Sequence, residues 1–228
     1  MVERTIRGAR RAATRIFLVD DHPMIRERLA EVIHREPDLI VCGEAEERHQ
    51  ALEAIRTAKP DLAIIDLTLK ASHGLDLIKD LRTAQPDVAI LVVSMHDDSV
   101  HAERVIRAGA RGYITKQEAT KSILLAIRTV LSGEIYLSEP TARRLASKVA
   151  GRIPAETAPA IDKLTDREMR VLELIGQGYS TRQIATTLRL GLPTIETYRA
   201  RIKEKLELKD ASELLQYAIR LRQAGGAR

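Results

Sequence analysis

Three aspartates, a serine and a lysine are the residues of this chain best suited to chemistry. Asp20 and Asp21 close and follow the apolar run IFLVD, Asp66 ends LAIID, Ser94 ends AILVVS, and Lys116 lies just past GYIT. If those runs are parallel strands, ligands bind outside their carboxyl ends, so the five side chains meet at one rim. Three carboxylates at one rim repel one another unless a cation sits among them, and hard oxygen ligands suit Mg²⁺. Such a cation and a lysine neutralise phosphoryl oxygens while a carboxylate attacks phosphorus. A single aspartate at a strand end can equally start a turn or cap a helix; the ordered set of five argues for phosphoryl transfer.

The elements that must position this set follow from the hydrophobic pattern. Five short β-branched runs, at 16–20, 39–45, 62–66, 89–94 and 112–115, alternate with stretches whose apolar residues recur at helical spacing. The spacing predicts helices near 23–35, 46–58, 73–83, 97–108 and 118–132, the pattern of a parallel sheet covered by helices. After Gly133 a short helix is expected at 139–150, and GRIPAETAPAIDK reads as an interdomain linker. Beyond it only helical patterns remain, at 166–176, 180–188, 193–206 and 210–222. Thr165, Ser180 and Asp210 suit N-caps, the last with Glu213 in capping-box spacing. The fold class is α/β plus all-α.

Charge divides the same way. Residues 1–15 hold five Arg and one Glu, residues 16–137 hold 15 Lys/Arg against 20 Asp/Glu, and residues 138–228 hold 17 against 11. An acidic domain thus precedes a basic one, and a basic compact domain suits a polyanion such as nucleic acid. No apolar run approaches the roughly 20 residues that cross a bilayer, and the Arg-rich start lacks a secretory h-region, so a cytoplasmic location without membrane partners is expected. The Arg-rich residues 1–15 suit contact with DNA or a membrane, but a disordered tail is the favoured reading. The lone Cys42 excludes an internal disulfide, and the six histidines have no Cys/His metal spacing. No Gly-rich phosphate loop follows the first strand.

Over about residues 14–137 the set Asp20, Asp21, Asp66, Ser94 and Lys116 resembles the receiver domains of response regulators. That resemblance implies a doubly wound, flavodoxin-like sheet of order 2-1-3-4-5 and a phosphoacceptor at Asp66. It implies Asp21, Asp66 and the Thr68 carbonyl as direct Mg²⁺ ligands, with Asp20 acting on the ion largely through water, and Ser94 and Lys116 on the phosphoryl group. Tyr113 matches the family's aromatic switch, an inward-facing core tyrosine being the other reading. The chain departs from the family at Lys70 and Ala71, where Pro-Gly is common.

The segment beginning LTDREMRVLELIGQGYS, with Ile184-Ala185, Leu188, Thr194-Ile195 and Lys205-Leu206, resembles the DNA-binding domain of LuxR-type regulators over about 162–222. Ile195, Ile202 and Leu206 give 193–206 a core face. Its other faces carry Thr194, Glu196, Thr197, Tyr198, Arg199, Ala200, Arg201, Lys203 and Lys205, and an α-helix fits the major groove. The resemblance places base contacts at Glu196, Thr197 and Ala200. Glu196 suits either a cytosine amino group or the orientation of a neighbouring Arg; Tyr198 suits either phosphate or packing.

Together these features are similar to the NarL/FixJ class. The expected organisation is a basic tail at 1–14, a receiver domain at 15–137, a linker at 138–161 and a helix-turn-helix domain at 162–224. The implied function is a non-enzymatic transcription factor, phosphorylated by a sensor histidine kinase with Mg²⁺ and binding DNA as a homodimer. A phosphohydrolase with Asp66 as nucleophile is the enzyme alternative, but Thr68 stands where its second acid belongs. An unphosphorylated DNA-binding scaffold is the other.

Overall fold

The computed structural model describes residues 13–69, 72–95, 99–150 and 160–226. Lys70, Ala71, most of the Arg-rich start and the middle of the expected linker lie outside the described residues. The first domain alternates β1 (Thr14–Val19), α1 (Pro23–His34), β2 (Leu39–Ala45), α2 (Arg48–Ala58), β3 (Leu62–Asp66), α3 (Gly74–Ala84), β4 (Ala89–Ser94), α4 (Ser99–Ala108), β5 (Gly112–Thr115) and α5 (Lys116–Leu131). All sheet pairings are parallel, in the order β2-β1-β3-β4-β5.

Strand alternation sends successive side chains to opposite faces, and each face has its own core. Phe17, Val19, Ile65, Ile90 and Val92 meet Ile55 of α2, Ile78 and Leu81 of α3 and Val105 of α4. Ile16, Leu18, Ile64, Leu91 and Ile114 meet Leu29 and Ile33 of α1 and Ile123, Ile127 and Val130 of α5. Burying both faces explains why β3, β4 and β5 read as unbroken apolar runs.

α6 (Glu139–Val149) follows, and after a 3₁₀ turn at Ala160–Lys163 come α7 (Asp166–Gly176), α8 (Thr181–Leu188), α9 (Leu192–Lys205) and α10 (Ala211–Gly226). Their shared core holds Val171, Leu172, Ile175, Ile184, Ile195, Ile202, Leu206 and Leu214. Gly176 lets α7 and α10 touch, since a Cβ there would stand 2.5 Å from the Ala218 carbonyl oxygen.

Most element limits match the sequence reading, and the differences have local causes. β1 begins two residues early because Thr14 and Arg15 pair with Leu39 and Ile40. α5 begins at Lys116 rather than 118 because Thr115 and Glu118 form a reciprocal capping box. Thr165 and Ser180 cap α7 and α8 in the same way, with Glu168 and Gln183. At α10 the box is offset: Asp210 accepts from Ser212 N and Glu213 N, but Glu213 reaches back to Lys209 N, at 2.7 Å.

Lys59, the exposed C-cap of α2, sits in the left-handed region at φ 45° and ψ 61°. An L side chain is strained there and glycine is not. Lys59→Gly is expected to raise unfolding free energy by about 0.5 to 1 kcal/mol, read as a higher urea midpoint at unchanged slope.

Candidate functional site

β1 and β3 are neighbours, with Val19 opposite Ile65. The next residue of each strand therefore brings Asp20 beside Asp66 at the carboxyl edge of the sheet. Both carboxylates are buried, at 4% and 2% exposure. Lys116, the first residue of α5, places its Nζ 2.7 Å from Asp66 Oδ2 and 2.7 Å from Asp20 Oδ2. The capping box at Thr115 fixes where that lysine leaves β5.

The remaining oxygens are held by short local bonds. Asp66 Oδ1 accepts from Thr68 N at 3.1 Å, and Asp20 Oδ1 from His22 N at 2.8 Å. Arg26 donates to the Asp20 carbonyl at 2.6 Å and pairs with Glu44 and Glu46. Ser94 is fully buried at the end of β4, where it stands opposite Thr115. Gly74 closes the loop after β3: a Cβ there would stand 2.2 Å from the Asp66 carbonyl oxygen, so only glycine permits this approach.

Burial is the largest influence on Asp66 and, with Asp20 alongside, raises its pKa to about 6 although Lys116 and the Thr68 amide pull the other way. Lys116 is itself raised: burial lowers it, but Asp66 and Asp20 outweigh that. The pocket thus carries more negative charge than one ammonium neutralises.

Asp20, Asp21, His22 and Asp66 each offer one ligand atom within a mutual 4.8 Å. Asp21 Oδ1 is buried without a hydrogen bond of good geometry, although His22 Nδ1 stands 2.8 Å away. An orphaned buried oxygen in an acidic cluster fits a hard divalent cation, so the pocket is compatible with metal binding. His22 had not been singled out; its place directly after the Asp-Asp pair was the available signal.

Tyr113 is buried in the core on the face of α3 and α4. On α9, Thr194, Glu196, Thr197, Ala200 and Arg201 are exposed, whereas Tyr198, Arg199, Lys203 and Lys205 are partly covered. Arg199 lies 3.8 Å from Glu196, and Tyr198 packs on the domain core. Thr197 Oγ1 donates to the Pro193 carbonyl at 2.9 Å. Lys205 is drawn inward, its Nζ 2.7 Å from the buried carboxylate of Glu168.

Sequence comparison agrees with both halves. Residues 16–128 match the response regulator receiver domain, and residues 162–218 match the bacterial regulatory proteins of the luxR family. The oxygen regulatory protein NreC of Staphylococcus aureus is 31% identical over 210 residues, spanning 90% of this chain and 97% of the relative. The chain is a response regulator of the NarL/FixJ type. Among solved structures, RcsB from Salmonella enterica serovar Typhimurium, bound to promoter P1flhDC in the presence of phosphomimetic BeF3⁻, superposes with a TM-score of 0.71. It is 23% identical and covers 90% of this chain and 98% of its own. A LuxR-family two-component response regulator from Aurantimonas sp. SI85-9A1 is 33% identical, with a TM-score of 0.57 over 61% of this chain and 99% of that one. This response regulator accordingly joins a receiver domain to a LuxR-type domain and regulates transcription in a two-component system.

The raised carboxyl of Asp66 sets a sign for stability. The folded chain binds this proton more tightly than the unfolded chain, so the associated stability is present below about pH 4 and is lost as pH rises through about 6. The rise from 3.8 to about 6 corresponds to about 3 kcal/mol against the ionised form at pH 7. In chelator, Asp66→Asn is expected to melt above wild type at pH 7, with the gap narrowing to about half at pH 5 and closing only below about pH 4; equal melting at pH 7 and pH 5 would count against the buried charge.

Proposed function

We propose that residues 15–137 receive a phosphoryl group on Asp66 from a sensor histidine kinase, and that this controls DNA binding by residues 162–224. Residues 138–161 act as linker, and residues 1–14 as a basic tail. The observation that carries this reading is the convergence of Asp20, Asp66 and Lys116, each polar contact within 2.7 Å, at the carboxyl edge of the sheet. The protein works in the cytoplasm as a transcription factor, not as an enzyme.

Asp21, Asp66 and the Thr68 carbonyl would hold Mg²⁺, with Asp20 as a further acidic partner of the ion. The ion, when bound, supplies neutralisation of phosphoryl oxygens. The chain's own groups do the rest. Asp66 attacks phosphorus through a carboxylate oxygen, which requires its ionised form; the O–P bond forms as the P–N bond of the kinase phosphohistidine breaks, and the imidazole leaves with the electron pair and takes up a proton. Lys116 leaves the Asp20–Asp66 pair to meet the new phosphoryl charge, and Ser94 hydrogen-bonds it. Burial of Tyr113 against the α3–α4 face supports a switch in which the pull on Ser94 lets Tyr113 change rotamer and remodel 97–115. Such a switch requires different stabilities for the two states.

For DNA, α9 is the recognition helix. Exposure of Thr194, Glu196, Thr197, Ala200 and Arg201 supports base and phosphate contacts by its outer face, flanked by Tyr198, Arg199 and Lys203. Lys205 braces Glu168 and reaches phosphate only by giving up that pair. The structure of RcsB on promoter DNA and that of two RcsB dimers on two parallel DNAs support binding as a homodimer, with half-sites about one helical turn apart.

Two experiments test this. Intact-mass measurement with acetyl phosphate is expected to show one added phosphoryl group that requires Mg²⁺; Asp66→Asn labelling at the wild-type rate would overturn the assignment. In footprinting, Arg201→Ala and Lys203→Ala should weaken all sites about equally and lower the salt slope by roughly one each. Thr197→Ala should instead cost on the order of 1 to 3 kcal/mol at particular base pairs. Unchanged slope and site preference in all three would place DNA elsewhere.

A further inference from the structure

The residue pair that closes the chain after Asp66, Thr68 and His73, is tied to the second domain. Thr68 forms an antiparallel bridge with His73, and Gly74 N donates to the Leu67 carbonyl at 2.9 Å. Both ends of the loop are thus pinned together at the foot of α3. His73 then uses both ring nitrogens. Its Nδ1 accepts from Leu75 N at 3.2 Å and caps α3, while its Nε2 stands 3.4 Å from Glu173 Oε2 on α7.

That cap determines what Glu173 meets. With Nδ1 accepting, the ring proton of a neutral histidine sits on Nε2, pointed at the carboxylate, so no change of protonation is needed for the contact. Glu173 is buried, and its other neighbours hold it in place. Glu173 Oε1 lies 2.9 Å from His101 Nε2 of α4, and Arg170 Nη1 donates to Glu173 Oε2 at 3.1 Å. Burial opposes ionisation of Glu173, but His73 and His101 outweigh it and hold the carboxyl well below the usual range. A buried carboxylate is costly unless paired, so Glu173 holds its histidine neighbours firmly when the domains are together.

A second contact keeps the domains in that arrangement. Asp166, at the start of α7, meets Lys79 of α3 at 2.5 Å and Arg104 of α4 at 2.9 Å. Arg104 also donates to the Leu164 carbonyl at 2.5 Å. Removing Glu173 therefore need not release α7 from the receiver.

We propose that Glu173, supplied by the DNA-binding domain, is a positioning residue of the phosphorylation site: through His73 it fixes the Thr68–His73 bridge, and with it the Thr68 carbonyl. The role rests on the reading of Asp66 and Thr68 as a Mg²⁺ site. The DNA-binding domain then tunes the metal affinity of the receiver. By linkage, Mg²⁺ favours the docked arrangement by the same factor.

The test is a double-mutant cycle on Mg²⁺ affinity in the full chain, read by titration calorimetry because the protein has no tryptophan. Glu173→Gln keeps the shape and removes the charge. His73→Asn keeps an acceptor for the α3 cap and removes the reach to Glu173. Each is expected to raise the Mg²⁺ Kd about fivefold, the lower end of typical coupling, and the double variant no further than either single. In wild type, Mg²⁺ should also slow amide exchange in α7, and Glu173→Gln should lose that effect. A wild-type Kd in Glu173→Gln overturns the positioning role, as does a double variant whose effects multiply. A wild-type chain that binds no Mg²⁺ overturns the metal reading itself.

Discussion

Two buried carboxylates, Asp20 and Asp66, share one ammonium, that of Lys116. Each would be expensive to bury alone, and together they repel; the lysine offsets much of the cost but not all, which is why Asp66 holds its proton up to about pH 6. The architecture produces this conflict. Placing β1 beside β3 sets the two aspartates side by side, and ending β5 in a capping box puts Lys116 within reach of both. Native sites that carry such strain are commonly functional, because added positive charge or transfer of a phosphoryl group changes the balance of the whole rim.

The sequence disclosed most of this because each pocket residue sits at the end of an apolar run, and a run buried on both faces is easily seen. β2 to β5 lie where β-branched clusters place them. What was hidden depended on partners distant along the chain. Glu173 lies on α7, and its histidine partners are 100 and 72 residues away in another domain; nothing in its local spacing marks it as buried. Lys205 reads as part of a basic surface until Glu168 is seen beneath it. His22 was masked by the two aspartates before it. Residues 70 and 71, where the chain departs from the Pro-Gly common in receivers, fall outside the described structure.

The second domain uses different faces for different tasks. α7 turns Asp166 and Glu173 toward the receiver, whereas α9 keeps Thr194, Glu196, Thr197, Ala200 and Arg201 exposed. Docking therefore does not bury the outer face of α9. A change at the receiver reaches DNA binding through the placement and pairing of whole domains more readily than through uncovering α9. Polar interfaces between domains commonly permit relative motion, and a switch requires two arrangements within a few kcal/mol.

Under the proposed function, Lys116 neutralises the Asp20–Asp66 pair at rest and moves to the phosphoryl group in the active state. A crystal structure of the full chain with Mg²⁺ and beryllofluoride tests this most directly. The expected result is beryllium bonded to an Asp66 carboxylate oxygen, with Lys116 Nζ and Ser94 Oγ on its fluorides and Mg²⁺ against Asp21, Asp66 and the Thr68 carbonyl. Beryllofluoride bound elsewhere, or Lys116 still bridging Asp20 and Asp66 beneath it, would rule this exchange out.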